Sequence, residues 1–115
     1  MRKGASLNGD IVVLSKSNKK GDTINEMTLK IASCVSITDG DTFRTPKNIL
    51  RLARVDCPET GTWGSIKATS ILKKLILNKT ITYKQVGISY GRIVAEVWVG
   101  RLNVNNYMRR HGYTP

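Results

Sequence analysis

Apolar residues along this chain recur with two different periods, and the change from one to the other outlines the fold. "DIVVLS" near the start and "MTLKIASCVSI" after it carry the β-branched residues that favour strands, and the second ends at an Asp-Gly turn signal. "RTPKN" interrupts the pattern, because Pro46 cannot donate to a central ladder. "ILRLARV" then alternates, with Leu50 and Leu52 set against Arg51 and Ala53, as a half-buried strand does. From Ser65 to Asn78 the period lengthens. Ile66, Ala68 or Thr69, Leu72, Leu75 and Ile76 recur at helical spacing, with Lys67, Lys73, Lys74 and Lys79 largely on the other side. "KTITYKQV" and "GRIVAEVWV" return to strand character, and Gly87 is the turn expected between them. "NVNNYMRRHG" predicts a short helix capped by Asn103 and stopped at Gly112.

Antiparallel strands with one helix after the third, two more strands and a closing helix predict an α+β chain. The architecture expected is a five-stranded Greek-key β-barrel with helices, the OB-fold. At 115 residues there is room for one core. The chain divides into residues 1–27, an extension that is either an extra strand or a flexible basic arm, and a domain over 28–115.

Composition narrows the function. Nineteen Lys and Arg stand against eight Asp and Glu, for a net charge of +11. Such an excess fits a polyanion partner, through counterion release and faster encounter. No apolar run exceeds four residues, so no membrane span or signal peptide is expected, and the chain reads as cytoplasmic unless a secretion signal has been removed. Cys34, Cys57 and the single His111 match no zinc spacing. Trp63, Trp98 and Tyr83 read as packing residues.

The scarce acids are not scattered. Four of the eight fall in "TDGDT" and "VDCPET": Asp39, Asp41, Asp56 and Glu59. Asp39 and Asp41 flank Gly40 at a strand end, where glycine permits a tight turn with positive φ. Pro58 stiffens the turn that presents Glu59. If these loops meet, two unit charges about 5 Å apart repel by roughly 3 kcal/mol at an effective dielectric near 20. A cation or arginines must then neutralise them, and oxygen-only donors favour Ca²⁺ or Mg²⁺. Each segment alone is ordinary turn chemistry. Together with strand-borne Arg51 and with "SYGR" at 89–92 they carry weight.

In sum, "DGDTF…ILRLARVDCPET…G…YGRIVAEVWV…LNVNNYMRRHGY" resembles the staphylococcal-type nuclease (thermonuclease) family, in order from Leu29 to Tyr113. The resemblance implies a Ca²⁺-dependent nuclease that hydrolyses DNA and RNA with low sequence specificity, leaving 3′-phosphates. It implies that Asp41 and Asp56 bind Ca²⁺ directly, that the Cys57 backbone carbonyl helps, and that Asp39 acts through water. Glu59 would hold and deprotonate the attacking water, Arg51 and Arg92 would grip the scissile phosphate, and Tyr90 would contact a neighbouring phosphate. Single strands are the expected substrate and a monomer the expected state. The chain departs from the family pattern at Ser89, where a Lys is common, and in ending at Pro115 without the usual C-terminal helix and base-stacking aromatic residues. The alternative is a non-catalytic OB-fold nucleic-acid-binding protein.

Overall fold

The computed structural model describes residues 10–17, 23–58 and 60–115, and for 10–17 and 23–28 the backbone alone. Strand β1 (Asp10–Ser17) pairs antiparallel with the long β2 (Thr23–Ser33). Then follow β3 (Ser36–Asp39), β4 (Thr42–Arg44), β5 (Ile49–Leu52), helix α1 (Trp63–Ile76), β6 (Thr80–Ser89), β7 (Arg92–Val99), β8 (Leu102–Asn103) and helix α2 (Val104–Arg110). All the strands belong to one sheet of order β1-β2-β6-β7-β5-β4-β3, with β8 added on β7. The β5–β7 pair is parallel; the others are antiparallel.

The five strands expected become eight among the described residues. One reason lies at Cys34 and Val35, which split "MTLKIASCVSI" into β2 and β3. The Cys34 N–H donates to the Lys79 carbonyl at 3.0 Å, whereas the Val35 N–H donates to Arg44 at 2.9 Å. The chain thus leaves β6 on one side and joins β4 on the other within one peptide step. The path from β2 round to β3 begins and ends on the same stretch of chain, which bends the sheet about its core. β4 and β8, which no strand pattern marked in advance, account for the remaining difference.

That core holds Phe43, Leu50, Leu52, Val55, Leu72, Ile76, Ile81, Tyr83, Val97, Val104 and Met108, all essentially without solvent contact. Each fully buried large apolar side chain contributes about 1.5–3 kcal/mol. Leu50 and Leu52 point in as the alternation requires, but the strand stops at Leu52 because Arg54 adopts a φ of +54°.

Helix α1 starts two residues before its expected position. Thr62 caps it, its Oγ1 accepting the Ser65 N–H at 3.1 Å. Ala68, Leu72 and Ile76 face the core as expected, but at the start of the stripe Ser65 is buried and Ile66 is 56% exposed. Asn78, with a φ of +62°, stops the helix. Gly87 is not the turn between β6 and β7. β6 continues through it to Ser89, with Val86 forming a bulge where the register slips between Gln85 and Gly87. The turn is Tyr90-Gly91, with φ of +50° and +76°, between the paired Ser89 and Arg92. Positive φ at both central residues is the type I′ geometry that suits a two-residue hairpin. In α2 the expectation holds: the Asn103 side chain accepts the Asn106 N–H at 2.8 Å, and Gly112 follows the helix with a φ of +95°.

Candidate functional site

The β3–β4 hairpin presents the first pair of acids. The Asp41 N–H donates to Asp39 Oδ1 at 3.1 Å, closing a local turn, and the Asp41 carbonyl accepts the Leu52 N–H at 2.8 Å, tying that turn to β5. Gly40 does not take the positive φ expected of it. It is required by proximity: a Cβ there would lie 2.5 Å from the Ala68 Cβ of α1 and 2.8 Å from the Cys57 Sγ. The hairpin therefore sits hard against the helix and against the second acidic segment. The Asp41 carboxylate is buried; it accepts a hydrogen bond from Thr42 Oγ1 at 2.9 Å and meets Arg51 Nη2 at 3.6 Å. Desolvation and the neighbouring Asp39 raise its pKa despite Thr42 and Arg51.

Asp56 follows β5 and the Ala53-Arg54 turn. It is exposed, and its N–H donates to the Tyr113 carbonyl at 3.1 Å, so the segment after α2 pins it. Cys57 lies among the acids. Burial and then the charges of Asp41, Asp39 and Asp56 push its thiol up to about 12, while Arg51 opposes them. Three carboxylates from two loops thus act on one thiol. Cys34, enclosed in the core, is pushed up to about 11, mainly by burial; both cysteines are free. Glu59 lies outside the described residues.

The arginines come from adjacent parallel strands. Arg51 of β5 pairs in register with Val94 of β7, two residues from Arg92. By the period of two, Arg51, Arg92 and Val94 share the outer face of the sheet while Leu50, Leu52 and Ala95 fill the core. Arg51 Nη1 donates to the Leu52 carbonyl at 2.9 Å and Arg92 Nε to the Ser89 carbonyl at 3.3 Å, so each guanidinium is anchored yet keeps further N–H groups. Tyr90 stands 95% exposed at the hairpin tip beside Arg92. Trp63 is 86% exposed at the start of α1 and does not pack as expected, whereas Tyr83 does.

The family-model comparison decides the relationship: residues 49–115, more than half of the chain, match the model for Staphylococcal nuclease homologue. The chain belongs to the staphylococcal nuclease family. This SNase-type domain includes Arg51, Asp56, Glu59, Tyr90 and Arg92, whereas Asp39 and Asp41 precede the matched span. A protein of Saprolegnia parasitica (strain CBS 223.65), named Endonuclease Htp3, is 31% identical to it over 119 residues, covering 77% of this chain and 56% of that protein. The chain thus spans little more than half the length of that relative.

Sequence reasoning missed Asn105, which orders the ground behind the site. It is wholly buried; its amide donates to the carbonyls of Ala53 and Ala95, both at 3.0 Å, and its Oδ1 accepts the Val97 N–H at 2.9 Å. One side chain joins α2, β7 and the turn that leads to Asp56. An amide two residues after the cap, next to Val104, was the available signal.

A divalent cation can be tested against these donors. Among the described residues no set of three or more His, Cys, Asp or Glu is gathered tightly enough to hold a metal alone. Asp41 and Asp56 nonetheless offer the hard oxygen donors that Ca²⁺ and Mg²⁺ both take; Mg²⁺ commonly binds through one or two carboxylates and completes its shell with substrate phosphate and water, whereas Ca²⁺ draws on about 6–8 oxygens. The raised pKa of Asp41 marks a carboxylate whose charge a cation would favour. The donor set fits a hard ion completed by substrate.

Proposed function

We propose that this chain is a Ca²⁺-dependent nuclease that hydrolyses phosphodiester bonds of DNA and RNA with low sequence specificity, acts preferentially on single strands, and leaves 3′-phosphate ends. The observation that supports it best is the side-by-side placement of Arg51 and Arg92 on one outer face, with Asp41 beside Arg51. Family membership and a relative named as an endonuclease point the same way. In this reading residues 28–115 form the nuclease domain, 1–27 are an extension, and the chain works as a monomer. With β2 and β3 counted as one bent strand, β4, β5, β6 and β7 complete the five of an OB barrel, β1 and β8 being additions.

Asp41, Asp56 and the Cys57 carbonyl would hold Ca²⁺, with Asp39 acting through water. When bound, the ion supplies positive charge against an already anionic phosphodiester and polarises a phosphoryl oxygen. Arg51 and Arg92 direct fork-shaped donors at the oxygens where charge builds in the five-coordinate transition state. Glu59 orients a water in line with the departing 5′ oxygen and accepts its proton. Tyr90 steadies the next phosphate.

The test is cleavage of a labelled single-stranded oligonucleotide with and without Ca²⁺, with product ends identified. Wild type requires Ca²⁺, and Glu59→Ser and Arg92→Ala each lose about 10²-fold or more in kcat, the scale of removing one transition-state donor. Full activity in EDTA or in the Arg92 variant refutes the reading. Salt-sensitive binding with no turnover in millimolar Ca²⁺ identifies the non-catalytic alternative.

A further inference from the structure

Glu96 is the one acid of the chain that follows Glu59, and the chemistry above makes no use of it. It lies on β7, on the same outer face as Arg92 and Val94. Its carboxylate is held by neutral amides, Oε1 accepting from Asn103 Nδ2 at 3.3 Å and Oε2 from the fully buried Asn105 at 3.2 Å. Lys84 is its register partner on β6, but no ion pair ties Glu96 down; among the described residues the ion pair is Arg51–Asp41. Each oxygen keeps acceptor capacity.

Glu96 lines a cavity of about 410 Å³ together with Ala53, Arg54, Val86 and Val94. The volume is in the range of small-molecule sites, about 300–1,000 Å³. Its walls are mostly apolar, Val94 from β7, Val86 from the bulge of β6 and Ala53 from the turn after β5, with Arg54 and Glu96 as the charged members. The bulge has a structural consequence here, because the extra residue turns Val86 out to 52% exposure. The cavity also begins where the arginines end. Val94 is the register partner of Arg51, and Glu96 lies about 7 Å further along the strand, two residues at about 3.3 Å each. A phosphate at the arginines and a base edge at Glu96 are separated by a span that one nucleotide covers.

We propose that this cavity receives a nucleobase of the substrate and that Glu96 makes it selective for guanine. The inference rests on the phosphodiester-binding reading of Arg51 and Arg92. Guanine alone presents two adjacent donors, N1–H and the exocyclic amine, to a carboxylate that accepts both. Adenine and cytosine offer one amine beside an acceptor nitrogen. Uracil and thymine offer one N–H between two carbonyl oxygens, which a carboxylate repels. Apolar walls at Val86 and Val94 cover the faces of the ring, and charge is matched at both ends, arginines to phosphate and carboxylate to amine. Low overall specificity and a preference at one position are compatible, because the rest of the face contacts only backbone phosphate.

Two measurements test this. In the first, a single-stranded oligonucleotide is varied at one position at a time round the scissile bond, and kcat/KM is compared for the four bases. Guanine at one position exceeds thymine by about 5- to 20-fold, the lower part of the range for a bidentate base contact. In Glu96→Gln that preference disappears and shifts towards adenine, whose N6 and N7 suit an amide. In the second, binding of guanosine and uridine 5′-monophosphates is followed by calorimetry. Wild type favours the guanine nucleotide, Glu96→Gln does not, and Val86→Trp, which fills the cavity while Glu96 is kept, weakens both. Circular dichroism confirms that the variants are folded. Equal mononucleotide affinities in wild type overturn the inference, as does an unchanged base profile in Glu96→Gln. If wild type cleaves nothing, the nuclease reading fails while the mononucleotide comparison still judges the cavity.

Discussion

Asp41 is held in a position that disfavours its charged form. It is buried, next to a second carboxylate, with a single guanidinium at 3.6 Å, and its pKa is raised. An acid whose folded-state pKa lies above its unfolded value contributes most stability below the unfolded value and loses it as pH rises through the folded one. The metal-free protein is therefore penalised at neutral pH. Asn at this position keeps an Oδ1 acceptor for Thr42 and removes the buried charge, and the partly exposed contact with Arg51 is worth little. Asp41→Asn is expected to raise the metal-free Tm at neutral pH by a few degrees, on the order of the shift for a 1 kcal/mol change. The gain shrinks as pH falls towards 3.8. Calcium raises the Tm of wild type and does so much less in the variant; thermal melts at several pH values and calcium levels check all three. Gly40 belongs to the same neighbourhood. A methyl group there meets the Ala68 Cβ at 2.5 Å, and neither α1 nor the hairpin can move aside cheaply. Gly40→Ala costs about 1–3 kcal/mol, as overpacking does. Urea midpoints measure the loss, and a weakened calcium response in the same melts reports that the acids have been displaced.

At the scale of elements, what could be read in advance followed from local chemistry, and what could not followed from pairing. The caps of α2, its Gly112 stop and the core positions Leu50 and Leu52 depend on short-range rules that the chain obeys. The β6–β7 turn was misplaced because Gly87 looks like a turn residue, whereas the sheet uses it beside a bulge. Tyr90 then takes a φ of +50°, which no propensity assigns to tyrosine. Likewise the split at Cys34 is fixed by which neighbours receive the two adjacent N–H groups, a long-range matter. The residues of the candidate site were named from their chemistry, not from packing; Asn105 was not among them, because its partners lie on other elements, Ala53 after β5 and Ala95, Glu96 and Val97 on β7. The strained Tyr90 leads to a prediction. Asn is favoured at the first position of a type I′ turn before Gly. Tyr90→Asn is therefore expected to leave stability unchanged or slightly higher while weakening the substrate contact of an exposed ring. KM for a single-stranded oligonucleotide rises several-fold with kcat nearly constant, the pattern of lost uniform binding. A fall in kcat without a change in KM would instead assign the ring to the transition state.

Across the whole molecule, the charge of +11 and the small acidic cluster divide the work. The basic excess raises the local concentration of a polyanion anywhere on the surface, but it is screened over about 8–10 Å at ordinary ionic strength. In the proposed reaction the carboxylates and two arginines act at contact distance, where salt matters less. Binding and chemistry should therefore respond differently to salt. We expect kcat/KM for single-stranded DNA to fall steeply and linearly on a log–log plot between about 50 and 200 mM salt, as counterion release requires, while kcat at saturating substrate changes little. The slope also locates the track. Lys73 and Lys74 occupy the last turn of α1 and are exposed, but they lie on a helix away from the outer face of β5 and β7 that carries Arg51 and Arg92. Replacing both lysines with Gln lowers the rate modestly through net charge and leaves the slope nearly unchanged. Arg92→Ala both lowers kcat and flattens the slope by about one phosphate contact. A slope that falls as much for the lysine pair as for Arg92 would place the nucleic acid across α1 and not along the β5–β7 face.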